Sequence, residues 1–380
     1  MIVRLCYEQG MTLPGFFDDA RDGLALDDYD YPLPEALIAR YPLEERQASR
    51  MLVLHRDSGR IEHRRFIDFP DYMEAGDVLA LNNTKVLPVR FYGNRQGFTG
   101  RVEILLLHPG HGAYQPKADE THALVWQALM RPAKKLKPGT AVEFEGTRAT
   151  MTVLHGGERG CCTVAIDPAE HADMPTLMEK VGKMPIPPYL RRDAEESDKT
   201  RYQTVFSKIP GAQAAPTAGL HFTPEILGVL AEKGVQQAEV TLSVSAGTFR
   251  TVEEACILNH RMDAEWYDCP EAAAHTIRQA KSRQGRVFAV GTTVAKTLET
   301  VAAKYHGQLK ADSDWSRLFI TPGFYFQTTD CLLTNFHLPK STLLMLISAF
   351  AGRHLVARAY EAALAEQYRF FSYGDCMLIL

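Results

Sequence analysis

The chain has 380 residues, of which 46% are hydrophobic and 23% charged, and carries a formal net charge of -4. That balance excludes a disordered or fibrous chain and a broadly basic surface that coats nucleic acid without selectivity, while leaving room for a local basic patch. The length allows one large domain or two ordinary ones.

Residues 1–26 carry weak signals and are expected to form a weakly ordered extension. The opening segment MIVRLCYEQGMTLPGFF has a single Arg and no apolar run ahead of a small-residue cleavage site, so a secretory leader is not expected. No stretch approaches the roughly 20 apolar residues that cross a bilayer. The 7 cysteines are scattered, with only Cys161 and Cys162 adjacent, and lack C-x-x-C spacing. They read as reduced thiols of a cytoplasmic protein.

From Val78 to Ile166, runs such as VLAL, VEILLL, LVWQALM, ATMTVL and CTVAI alternate with Gly, Pro and charge clusters. They predict a small all-β domain over 78–166, inserted in an α/β domain made of 1–77 and 167–380. Pro185, Pro187 and Pro188 mark an extended return. Thr223-Pro224 then caps a helix that runs through Leu230 and ends at Gly234, and Val235–Val244 reads as a strand. A helix opens at Pro270 and closes at Gly285, Arg286–Val290 is a buried strand, and Gly291-Thr292-Thr293 turns into a third helix reaching Ala303. Ser341 caps what reads as one long apolar-rich helix ahead of YRFFSYGD.

Several loops concentrate polar groups at strand ends, where α/β ligand sites gather. AAPTAGLHFT places Thr217, Ala218, Gly219, His221 and Phe222 ahead of a helix N-terminus, a setting that favours anionic groups. A plain capping loop with a packed histidine fits the same residues. Gly247, Thr248 and Phe249 follow a strand directly, and Gly291, Thr292 and Thr293 form a tight turn that could hold a carboxylate or only cap its helix. TNFHLPKST carries Asn335, His337, Lys340 and Ser341, and YRFFSYGDCM carries Arg369 and Asp375. H-E-x-x-H, C-x-x-C and EF-hand patterns are absent, which disfavours a metal site, as are G-x-G-x-x-G, Walker and G-x-S-x-G loops. Local chemistry alone indicates an α/β enzyme with a polar site at strand ends.

Taken in order, DYPLPEALIARYPLEERQASRML, LNNTKVLPVRFYG, RPAKKLKPGT, PIPPYLRR, RYQTVF, AAPTAGLHFT, AGTF, AVGTT, TNFHLPKSTLLMLISAFAG and YRFFSYGD resemble the S-adenosylmethionine:tRNA ribosyltransferase-isomerase family of queuosine biosynthesis. The resemblance implies a barrel-like α/β main domain with an inserted β-barrel-like domain. It implies transfer and isomerisation of the ribosyl moiety of S-adenosylmethionine onto 7-aminomethyl-7-deazaguanine (preQ1) at the tRNA wobble position. The products would be epoxyqueuosine-tRNA, adenine and methionine. S-adenosylmethionine is then a co-substrate, no metal or other cofactor is called for, and a monomer is expected.

That chemistry needs a base near the sulfonium and an acid for departing adenine, for which His221, His337, Glu265 and Asp375 are the candidates. An unperturbed histidine, titrating near pH 6.5, could take either role. Thr217, Ala218, Gly219, Phe222, Gly247, Thr248, Phe249, Gly291, Thr292, Thr293, Asn335, Lys340 and Ser341 are the expected substrate contacts. Arg131, Lys134 and Lys135, with Arg191, Arg192 and Arg201, are expected to contact tRNA. The chain departs from the family pattern at Ser243, Ser245 and Asp263, and at Lys296 where Arg is common. Those departures leave a second reading, a relative that binds tRNA or nucleoside without ribosyl transfer.

Overall fold

In the computed structural model, the described residues are 23–98, 100–107, 117–118, 124–132, 136–157, 160–171, 173–245 and 252–380. The first half holds β1 (Arg50–Leu54), β2 (Ile61–Arg65), β3 (Val78–Asn82), β4 (Thr84–Val86), β5 (Arg90–Arg95), β6 (Arg101–Leu106), β7 (Lys117–Ala118), β8 (Leu124–Arg131), β9 (Ala141–Phe144), β10 (Thr150–Gly156) and β11 (Cys161–Asp167). The helices α1 (Met174–Val181), α2 (Asp198–Arg201) and α3 (Pro224–Glu232) follow, with β12 (Ile209–Ala212) between the last two. Beyond them run β13 (Gln236–Leu242), β14 (Glu265–Cys269), α4 (Glu271–Ser282), β15 (Val287–Val290), α5 (Thr292–Lys304), β16 (Asp312–Ser316), β17 (Cys331–Asn335), α6 (Thr342–Ala351), α7 (Arg353–Ala365) and β18 (Cys376–Ile379).

Alternating burial in β8, β10 and β11 is what a sheet with one wet face requires. These strands close with β5, β6 and β9 into an antiparallel six-stranded barrel, in which β11 pairs with β8 and β9 with β5. Trp126, Phe91 and Phe144 fill it, and α1 adds Met174, Leu177 and Met178 to the same core.

The main layer is a nine-stranded mixed sheet in the order β16-β14-β13-β3-β15-β17-β18-β1-β2. Its centre is parallel: β3 pairs with β13 and β15, and β15 with β17. Here the structure corrects the sequence reading, which took VLAL as the first strand of the inserted domain. All five residues of β3 are buried, and a run buried on both faces belongs inside a parallel sheet. The barrel strands begin at Arg90 and end at Asp167.

Helices α4 to α7 cover one face of the sheet, and Phe66, Phe69, Phe222 and α3 the other. Thr223 caps α3 by accepting the N–H of Ile226, and Gly234, at φ 83, ends the turn that follows. Within α5, the buried Glu299 accepts the N–H groups of Gln327, Thr328 and Thr329, anchoring the segment that leads to β17. The helix predicted after Ser341 is two helices: Gly352, at φ 88, breaks it, and α6 and α7 meet at 114°. No single helix among the described residues is long and apolar enough to cross a membrane.

Candidate active site

The parallel strands β13, β3, β15 and β17 lie in that order, so the loops leaving β13, β15 and β17 meet at one rim of the sheet. There they enclose a cleft, with about 670 Å³ of space between its walls and its open mouth. Thr217 and Ala218 form one wall, Gly291, Thr292 and Thr293 a second, and Asn335, His337 and Ser341 a third. The N-termini of α5 and α6 both open onto it, bringing free backbone N–H groups to a mainly apolar space. Ser341 caps α6 through the N–H of Leu344 and donates to the carbonyl of Leu338. Gly291 has φ 91 and ψ 156, a region essentially reserved for glycine.

His337 is the one catalytic candidate whose side chain lines this cleft. Its Nε2 lies 2.7 Å from Thr334 Oγ1, its backbone N–H donates to Tyr360, and its carbonyl accepts from Tyr31. Burial pushes its pKa down to about 3. His221 sits behind the cleft, with Nδ1 2.7 Å from Ser49 Oγ and its ring against Phe66. Burial lowers its pKa to about 4; Arg46 and Arg369 act the same way, while a side-chain contact with Asn335 opposes them. Both imidazoles are therefore neutral at neutral pH. This corrects the expectation that either could serve as an acid without a large shift.

A stability test follows from these two histidines. Unfolded, they titrate near pH 6.5, so the unfolded state binds more protons as the pH falls, and stability drops from about pH 6.5 towards 4 and 3. Urea unfolding is expected to show a loss of about 2 kcal/mol per histidine between pH 6.5 and 5. His221→Gln should flatten that slope, and an unchanged slope would mean that burial does not hold the ring neutral.

The remaining candidates lie elsewhere. Asp375 is buried, its two oxygens accepting the backbone N–H groups of Arg50 and Arg369, which makes it a brace of the C-terminal loop. Glu265 is buried in an ion pair with Lys296, Oε2 to Nζ 2.8 Å, and its Oε1 accepts the N–H of Ser245. Phe222 does not wall the cleft but packs edge-on against Phe66 and Phe69 in the core. Gly219 is needed for packing, because a Cβ there would come within 2.7 Å of the Phe206 ring. Lys340 points away to Asp27 and Asp30. Gly247, Thr248, Phe249, Lys134 and Lys135 lie outside the described residues.

The expected tRNA contacts divide. Arg131 is exposed at the end of β8. Arg191 is exposed and bonded to Glu35. Arg192 is buried in a two-toothed pair with Asp198, both bonds at 2.7 Å, so it is structural rather than free for RNA. Arg201 donates to the carbonyls of Leu43 and Glu44.

Several cleft residues were not among those expected from the sequence, and neither was Asn82, which braces the cleft from outside its lining. Tyr189, Phe371 and Ser372 line it, with Tyr189 Oη 2.5 Å from Ser372 Oγ and the Tyr189 and Phe371 rings 4.8 Å apart. Asn82, at the end of β3, donates to Thr293 Oγ1 and to the carbonyl of Leu242, joining two walls from below. PIPPYLRR and LNNTKVLP marked family likeness without pointing at a site, while YRFFSYGD pointed to one through Arg369 and Asp375 rather than through Phe371 and Ser372.

Residues 26–379 match the family model described as queuosine biosynthesis protein. The chain is 44% identical over 356 residues, 94% of this chain and 99% of the other, to the S-adenosylmethionine:tRNA ribosyltransferase-isomerase of Natranaerobius thermophilus. Its structure is similar to the crystal structure of the S-adenosylmethionine tRNA ribosyltransferase of Thermotoga maritima, with a TM-score of 0.51 and 37% identity, covering 93% of this chain and 100% of that one. With the α/β layer, the inserted barrel and the strand-end cleft in place, this chain belongs to the queuosine biosynthesis protein family.

Proposed function

We propose that this chain transfers and isomerises the ribosyl moiety of S-adenosylmethionine onto preQ1 at the wobble position of a tRNA, releasing adenine and methionine. One observation carries the reading: the PTAG, GTT and TNFHLPKS segments, far apart in the chain, line a single cleft. The N-termini of α5 and α6 suit the methionyl carboxylate, and the threonine and serine hydroxyls suit the ribose. Tyr189 and Phe371 offer ring faces to adenine or to the sulfonium. In this reading His337 lies beside the reacting ribose as a neutral imidazole, and burial, which holds its pKa down to about 3, opposes its taking up a proton until substrate charge enters the cleft. Lys296 keeps the positive charge opposite Glu265, so that departure from the family pattern leaves the ion pair in place. A cytoplasmic monomer working without a metal is part of the same proposal.

The test is to incubate the protein with S-adenosylmethionine and tRNA carrying preQ1, following adenine release and the mass of the modified nucleoside together. Coupled adenine release and epoxyqueuosine formation is the expected result. Neither product, from folded protein that still binds the tRNA, would favour the non-transferring relative and turn attention to Ser243, Ser245 and Asp263.

A further inference from the structure

A second pocket adjoins the cleft, and its lining includes Arg46, Arg201, His221, Ser372 and Gly374, while Arg369 stands outside that lining but close enough to act on His221. Arg46 donates to the carbonyls of Leu220 and Thr200, Arg201 to those of Leu43 and Glu44, and Arg369 to that of Tyr41. Backbone carbonyls thus position all three guanidinium groups. Several other arginines are matched with carboxylates, as in Arg90 with Glu103, Arg101 with Glu145, Arg192 with Asp198 and Arg286 with Asp77, although Arg56 too is held by backbone carbonyls. Among the described residues, Arg46, Arg201 and Arg369 form no ion pair within 4.0 Å. The nearby carboxylate, Asp375, is engaged by two backbone N–H groups. Arg201 Nε and Arg369 Nη1 are buried without a hydrogen-bond partner.

Gathering three partly buried cations that share only Asp375, which acts on Arg369 and also pairs with Arg50, costs free energy. Burial and the neighbouring Arg201 hold the Arg46 guanidinium below its ordinary value, and burial does the same to Arg369. An anion entering the pocket would reverse that cost, and arginine forks match the paired oxygens of a phosphodiester.

The pocket's position identifies the kind of anion. On one side it shares Ser372 with the cleft. It also shares Leu43 with an open surface groove that carries Arg50, His63, Arg64 and Arg65 beside Asp68 and Glu366, with Arg64 paired to Glu62. A small metabolite filling the cleft has no need of that groove, whereas a polynucleotide strand delivering one base to the cleft would pass along it.

We infer that Arg46, Arg201 and Arg369 form a seat for a backbone phosphate of the RNA substrate, adjoining the nucleotide whose base enters the cleft past Ser372. The inference rests on the reading that tRNA is the acceptor.

The experiment uses the full chain and anticodon stem-loops with preQ1 at the wobble position, each carrying one uncharged methylphosphonate linkage at a successive site around that base. Binding is measured across a range of salt. One linkage, or two adjacent ones, is expected to weaken binding by about tenfold, in the range of a charge-assisted contact. In Arg46→Gln that penalty should vanish while other linkages behave as before, and the slope of log Kd against log salt should fall by about 1. Arg46→Lys should restore the salt slope but only part of the affinity, because it keeps the charge and loses the fork. Arg369→Gln repeats the test should Arg46→Gln prove unfolded.

No linkage-specific loss, or a loss that survives in both Gln variants, overturns the seat. So does a rise in KM for S-adenosylmethionine with stem-loop binding unchanged, which would assign the arginines to the methionyl carboxylate. Linkage-specific binding without adenine release would leave the seat standing and remove the transferase reading. Adenine release without any linkage effect would do the reverse.

Discussion

Gly291→Val is expected to lower kcat/KM for S-adenosylmethionine by roughly a hundredfold or more, the scale of loss seen when reacting groups shift by about 1 Å. Gly291 ends β15, and its N–H donates to the carbonyl of Leu333 on β17. Its carbonyl accepts the N–H groups of Val294 and Ala295, starting α5. The residue therefore fixes where the helix N-terminus meets the cleft. At φ 91 a side chain is strained whatever space surrounds it, at about 1–3 kcal/mol. A new Cβ would lie 3.6 Å from Ala218 Cβ, between two walls of the cleft, and the valine methyls would extend beyond it. Gly291→Ala should show the backbone strain with less blockage. Steady-state kinetics beside thermal melts separate the two effects, and a folded Gly291→Val protein with kcat/KM near wild type would remove the GTT turn from the site.

Lys296→Met is expected to lower stability by about 3–5 kcal/mol, because it leaves the Glu265 carboxylate buried without its cation. For a chain of this size that corresponds to a fall in Tm of roughly 4–6 °C. Lys296→Arg keeps the charge and should cost much less. The double variant Glu265→Leu with Lys296→Met removes both charges and should recover most of the stability. Activity is expected to stay low in the double variant, since Glu265 Oε1 also holds the N–H of Ser245, next to Val244 in the cleft wall. Recovery of turnover together with stability would reduce the pair to a fold element with no part in shaping the cleft.

Much of the local fold was readable from near neighbours. Thr223-Pro224, Ser341 and Gly291 mark helix starts through capping and backbone preference, and the alternating burial of β8, β10 and β11 follows directly from their patterns. The reading failed where a residue's role depended on partners distant in sequence. VLAL has the same apolar pattern in a barrel strand as in a sheet centre, and only its pairing with β13 and β15 distinguishes them. The chain from Thr342 to Gln367 keeps helical composition through Gly352, so the 114° break rests on a single backbone angle.

The sequence by itself determined the α/β class, the inserted β domain, several of the loops that line the cleft and the family, because these depend on residue type and order along the chain. Only the tertiary structure decided which polar groups are free to act. His221 and His337 are neutral because of what encloses them, Asp375 and Arg192 are occupied by partners, and Arg46, Arg201 and Arg369 form no ion pair within 4.0 Å among the described residues. Protonation, pairing and exposure are set by desolvation and by charges brought together from remote parts of the chain, and no local pattern carries that information.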